Sequence, residues 1–204
     1  MDDKRITRTK RNLKNTLKKL LRRKPYADIT VTELCKDAET SRITFYAHYN
    51  GKNDLADELV RDLFGEVNEN LERLQRQNNP SGDPVRAAEN MLGAILGCYE
   101  ANREFFSRLN VKESPYLFSS FYDHILSAVE EKLSEVLNTP REEVHRDAVF
   151  LCAGLWNYLS EGIRQGCSSE TLQKKTSALV TSMLVVFQEC ARIQPGDLPE
   201  RKRY

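Results

Sequence analysis

No apolar run in this 204-residue chain approaches the roughly 20 residues that a membrane-spanning helix needs. The longest, AVFLCAGLW and MLVVF, fall far short. The opening MDDKRITRTKRNLK has no apolar core of the secretory-signal kind, so a cytoplasmic protein is expected. Cysteine is scarce and odd in number, five at positions 35, 98, 152, 167 and 190, with no CxxC pair. That speaks against a disulfide framework and for thiols buried in a reducing compartment. Histidine is scarcer still: His48, His124 and His145 share no HExxH or His/Cys ligand spacing, so no metal site is expected. GxSxG, GxGxxG and phosphate-loop glycines are absent as well. The acidic pairs Glu130-Glu131 and Glu142-Glu143 sit on charged helix faces or in a first turn, where solvation or the helix dipole accounts for them. Neither catalysis nor a cofactor is expected.

What is present is charge, unevenly placed. Residues 1–52 hold 14 Lys/Arg against 6 Asp/Glu, a net +8; the remainder holds 17 against 24, a net −7. A basic module that meets a polyanion, joined to an acidic one that does not, fits this division.

Hydrophobic periodicity is helical nearly throughout, which predicts an all-α protein. A first helix carries Leu13, Leu17, Leu20 and Leu21 on one stripe among lysines and arginines, and Pro25 stops it. Thr30-x-x-Glu33 reads as a capping box opening a second helix with Val31, Leu34, Cys35 and Ala38 turned inward. Glu39-Thr40 makes a short turn, and Ser41 is the N-cap of a third helix. Asn50-Gly51 ends that helix, and a long fourth follows. NNPSGDP (78–84) is the clearest linker. After it come helices at roughly 84–110, with a break near Asn102, at 115–138, from Thr139-Pro140 to Gly166, and at 168–193. The tail PGDLPERKRY reads as frayed.

Helix, short turn, helix is the arrangement that sets a second helix into the DNA major groove. With Phe45 and Tyr49 turned to the core, the opposite face shows Arg42, Ile43, Thr44, Tyr46, Ala47 and His48. Arginine can fork onto guanine O6 and N7, and Ile43 can meet a thymine methyl. Thr44, Tyr46 and His48 can donate to phosphates. Thr30 and Lys52, each at a helix start, suit the same anion. On spacing alone, a basic solvated corner fits these residues too; the +8 confined to residues 1–52 favours DNA.

Residues 29–55, ITVTELCKDAETSRITFYAHYNGKNDL, resemble the DNA-binding signature of the tetracycline-repressor (TetR) family of bacterial regulators. Thr30-Val31, Leu34, Ala38, Ser41, Thr44-Phe45-Tyr46, His48-Tyr49, Lys52 and Leu55 match it without a gap. The resemblance places Thr30, Thr32, Arg42, Ile43, Thr44, Tyr46, His48 and Lys52, with the matched Ser41, at the DNA surface, and Phe45 and Tyr49 in the core. Two residues depart from the pattern. Glu39 stands at the turn glycine, where a left-handed backbone costs roughly 1 kcal/mol without glycine. Cys35 replaces an alanine.

The last two helices are apolar on more than one side. Leu155 and Leu159 on one, and Leu179, Met183, Val186 and Phe187 on the other, are expected to pair with their copies in a four-helix homodimer interface. The resemblance implies the same dimer. It further implies a small apolar or aromatic effector held in the helical C-terminal domain, with Tyr99, Phe106, Phe121, Tyr122, Phe150, Trp156 and Asn157 as candidate lining.

The expected organisation is therefore a three-helix helix-turn-helix domain (1–50) and a larger helical effector-binding and dimerisation domain (51–204). The expected function is that of a repressor that binds a palindromic operator in double-stranded DNA and is released by its effector. Two rivals stand beside it: an effector-independent DNA-binding protein, and a helical interaction protein whose basic N-terminus binds another polyanion.

Overall fold

A computed structural model describes residues 2–107 and 109–192. Among these, every regular element is a helix. They are α1 (Asp2–Leu21), a 3-10 turn (Tyr26–Asp28), α2 (Val31–Asp37), α3 (Arg42–Tyr46), α4 (Lys52–Asn78), α5 (Pro84–Ala101), α6 (Arg103–Ser107), α7 (Pro115–Leu137), α8 (Arg141–Arg164) and α9 (Ser169–Arg192). The tail from 195 onward lies outside the described residues. Among the described residues, no helix is long and apolar enough to cross a membrane.

The chain divides into two compact units. The first comprises residues 1–70 and 97–124. Its core is the stripe read from the sequence: Leu13, Leu17, Leu21, Ile29, Leu34, Phe45, Leu55 and Leu59 are essentially without solvent contact. Each such side chain contributes about 1.5–3 kcal/mol by leaving water. Polar contacts fasten α1 to α4. Lys10 Nζ reaches Glu58 Oε2 at 2.8 Å, and Lys14 pairs with both Glu58 and Asp62. Burial works to raise the Glu58 carboxyl, yet the hydrogen bonds from Lys10 and Lys14 hold it below the usual carboxylate range.

The second unit comprises residues 71–96 and 125–204. Leu133, Val144, Ala148 and Leu151 form its centre, with Met183, Leu184 and Phe187 of α9 packed against them. The 78–84 linker is tied down by Asn79, whose amide nitrogen donates to Gln75 Oε1 and to Asp83 O. Gly166 ends α8 at φ 75°, and Cys167 N–H returns to Gly162 O at 2.9 Å, a Schellman closure. Gly162 also lets α9 approach, since a Cβ there would stand 2.4 Å from Leu172 Cδ2.

Several local expectations differ in detail. Thr30 Oγ1 accepts from Glu33 N–H as a cap should, but the Glu33 carboxylate does not close the box; it takes the Lys24 ammonium at 2.5 Å instead. A full charge nine residues upstream is a better donor than a backbone amide. The helix after Asn138 begins one residue later than its sequence suggests, with Pro140 as cap and the Thr139 hydroxyl donating to Leu137 O. The break near Asn102 is present, between α5 and α6. Cys35, Cys98 and Cys152 are buried, whereas Cys167 is exposed. The Cys190 side chain lies outside the described residues.

Candidate nucleic-acid interface

The interface candidate is built on a two-helix corner. α2 ends in a Schellman turn: Glu39 N–H bonds to Lys36 O at 3.2 Å and Thr40 N–H to Cys35 O at 2.9 Å. Glu39 occupies the left-handed position at φ 51°, the strained site its place in the sequence implies. Thr40 then extends the chain to Ser41, whose Oγ accepts from Thr44 N–H at 3.0 Å and starts α3. The same Oγ lies 2.8 Å from Thr44 Oγ1, so the two hydroxyls hold one another.

Phe45 is 0% exposed and Tyr49 is 3% exposed, and their rings meet at 5.5 Å. They anchor α3 and present its other face outward, where Ile43 is 85% exposed and Tyr46 is 51% exposed. The Tyr46 ring stands edge-on to Phe45 at 5.4 Å. Arg42, Ser41, Thr30 and Thr32 are exposed, and Thr44 and His48 half-buried. Thr30 accepts from Glu33 N–H, so its hydroxyl proton is left to give away.

Lys52 has a different place from the one expected. Its ammonium donates to three backbone carbonyls, Tyr26 O (2.9 Å), Ala27 O (2.9 Å) and Ile29 O (2.8 Å), and sits 4.6 Å over the Tyr26 ring. An ammonium has three donors, and all three are used on the protein itself. Lys52 therefore holds the loop that leads into α2 rather than presenting a free charge to phosphate. No local signal announces this, because the acceptors lie 23–26 residues upstream.

Lys10, Lys14 and Lys24 are likewise committed to carboxylates, and Lys18 to Asn102 Oδ1 at 2.8 Å. The outward charge of residues 1–52 is thus carried by other side chains, among them Lys4, Arg5, Arg8, Arg11, Lys19 and Arg42, all exposed.

Within the first unit Tyr99 meets Phe106 at 5.4 Å, and Phe106 meets Phe121 at 5.2 Å. Phe64 links Phe121 to His124 at 5.1 and 5.2 Å, so these rings fill one another's space. Tyr122 stacks on Phe118 at 5.9 Å. Phe150, Trp156 and Asn157 lie on α8 in the second unit. Phe150 is 60% exposed, and Asn157, also exposed, turns its amide back to Ala153 O. Exposure is the opposite of what a cavity lining requires within one chain. Among the described residues no group of three His, Cys, Asp or Glu side chains is placed to hold a metal.

The expected pairing residues divide in two. Met183 and Phe187 pack partly against their own unit, while Leu179 and Val186 are uncovered at 39% and 56% exposure. Val185 is exposed to the same extent as Val186, and Leu155 and Leu159 are half-buried.

No protein-family model matches the chain. YxbF, an uncharacterised helix-turn-helix-type transcriptional regulator of Bacillus subtilis (strain 168), is 25% identical over 130 residues; these make up 60% of this chain and 33% of YxbF. Among solved structures, a TetR transcriptional regulator from Streptococcus agalactiae 2603V superposes with a TM-score of 0.62 at 26% identity, covering 88% of this chain and 97% of that one. A candidate TetR-family regulator from Syntrophomonas wolfei superposes with a TM-score of 0.68, covering 87% and 95%; at 12% identity it speaks for the fold alone.

Proposed function

We propose that this chain, which belongs by fold to the TetR family of transcriptional regulators, binds a palindromic operator as a homodimer and represses transcription until a small molecule releases it. The observation that carries the reading is how α3 and the turn after it divide: Phe45 and Tyr49 are buried, while Ile43, Tyr46 and Arg42 are left outside on a capped, preorganised helix. Arg42 and Ile43 would read base edges, and Thr30, Thr32, Ser41, Thr44, Tyr46 and His48 would meet the backbone. Lys52 would act from behind by holding residues 26–29.

Residues 1–50 would be the reading head and 51–204 the body that pairs and binds an apolar or aromatic effector. Leu179 and Val186, already uncovered in one chain, support pairing through α8 and α9. Two heads so joined must fall one helical turn apart, about 34 Å or a multiple, to share one duplex face. Effector binding would alter that separation and so lower operator affinity, a shift between two dimer geometries.

A fluorescence-anisotropy titration of duplex DNA at several salt concentrations tests this. The expected result is a steep salt slope together with a sequence preference of several kcal/mol. Arg42→Ala should relax preference at one base pair per half-site by about 1–3 kcal/mol. A slope with no sequence preference would leave only a general polyanion binder.

A further inference from the structure

Asp57, in the second turn of α4, takes two hydroxyl hydrogen bonds from the start of α7: Tyr116 Oη at 2.7 Å and Ser120 Oγ at 3.0 Å. Tyr116 and Ser120 are four apart and share one helix face, so a single carboxylate receives both. Burial first, and then the bond to Asp57, push the Tyr116 hydroxyl up to about 12.

The Tyr116 ring does a second thing. It stacks on Tyr26 at 5.8 Å with an interplanar angle of 17°. Tyr26 is also bound by two residues of α4, Lys52 and Asn53. Its hydroxyl donates to Asn53 Oδ1 at 2.6 Å, its carbonyl accepts from Lys52, and the Lys52 ammonium lies over its ring. Lys52 continues to Ile29 O, and the next residue, Thr30, is the cap of α2. Within the loop the backbone makes few bonds of its own. Its own backbone bonds are Asp28 N–H to Pro25 O and Ile29 N–H to Tyr26 O, at 3.1 and 3.2 Å. The start of α2 is thus tied to α4 through Tyr26 and Lys52, beside the core contacts of Leu34 and Phe45.

We propose that Tyr116 and Ser120 are positioning residues for DNA binding: by clamping Asp57 and Tyr26, the front of α7 fixes the 26–29 loop and, with it, the angle at which α2 and α3 leave α4. This rests on the reading of α3 as a DNA-reading helix. None of the three polar groups touches DNA in that reading, so their effect is on geometry alone. A displacement of the front of α7 would tilt the head through this clamp, with no change in the reading surface itself.

Contact chains of this kind need a coupling measurement. The full chain is compared with Tyr116→Phe, Asp57→Ala and the double variant. The probes are a duplex recovered by in vitro selection and the same duplex with two base pairs inserted at its centre. Hydrogen exchange of the peptide spanning 26–34 and thermal melting are recorded alongside. Tyr116→Phe should speed exchange in that peptide about tenfold, the scale of one hydrogen bond to a charged group, and Asp57→Ala, which frees Ser120 as well, at least as much. Each should also narrow the preference for the native spacing about tenfold while the salt slope stays unchanged. The double variant should match Asp57→Ala, because both changes break the same bond. Wild-type exchange and wild-type spacing preference in both single variants would overturn the clamp, as would equal losses on both duplexes that add in the double variant. If the unaltered chain shows no preference among duplexes, it is the DNA reading that has failed, and the clamp's role in binding fails with it.

Discussion

Replacing Lys52 by methionine removes one ammonium and keeps an unbranched apolar stem. Three charged hydrogen bonds to carbonyls are lost, together with a cation held 4.6 Å from a ring centroid. Hydrogen bonds to a charged group are worth about 1.5–3 kcal/mol each, and a cation–π contact of this exposure about 0.5–1. The sum is not the net effect. Burial, opposed by Asp28 and reinforced by Lys24, depresses the Lys52 pKa, so part of the gain is offset by desolvation. Ala27 is exposed and its carbonyl can turn to water once the ammonium is gone. A net loss of about 2–3 kcal/mol is the reasoned value, or about 4–12 °C in melting temperature for a domain of this size. Circular dichroism melting and a salt-dependent DNA titration of the same variant form the assay. The loop-holding role predicts a lowered melting temperature and an unchanged salt slope for the folded protein. An unchanged melting temperature with a slope shallower by about 0.9 per lost phosphate contact would refute it and return Lys52 to the DNA backbone.

Glu39→Gly should raise stability by up to about 1 kcal/mol, because glycine removes the left-handed penalty at φ 51° while adding some freedom to the unfolded chain; a urea titration reads it, and a clear loss would mean that the glutamate side chain itself supports the turn. Val186→Glu should turn the proposed dimer into a monomer in sedimentation at micromolar concentration with the helical circular dichroism kept, since the side chain is 56% exposed in one chain; a variant that sediments as the unaltered chain does would count against pairing through this face. The Glu58 carboxyl is held below its ordinary value in the folded protein, so its stabilising effect is present above about pH 4.5 and is lost as pH falls further. Urea midpoints from pH 6 to pH 3 should fall less steeply in Lys10→Met than in the unaltered chain, and identical acid limbs would count against the α1–α4 ion pairs.

The features that short spacing controls were legible in the sequence. Thr30 and Ser41 cap the helices their neighbours suggested, and the turn between them takes the left-handed residue at Glu39. Phe45 and Tyr49 went to the core and Ile43 and Tyr46 to the surface, as a four-residue period requires. Partners distant in the chain were not legible. Lys10, Lys14 and Lys52 read as members of a basic face, but the structure commits them to groups 23–48 residues away. Glu33 preferred Lys24 to the backbone of its own cap. The burial of the aromatic candidates was not legible either: Phe106 and Phe121 are buried, whereas Phe150 and Asn157 are exposed. Tyr116 carried no signal at all, since nothing near it in sequence names Asp57 or Tyr26.

The central claim is that two copies of the Arg42–His48 surface read one duplex together. In vitro selection of the full-length chain on a random duplex pool tests it most directly. Enrichment of inverted repeats whose half-sites are centred about one helical turn apart, or a multiple of that, is the predicted result. Recovery of single unsymmetrical sites, or no enrichment above the starting pool, would contradict it.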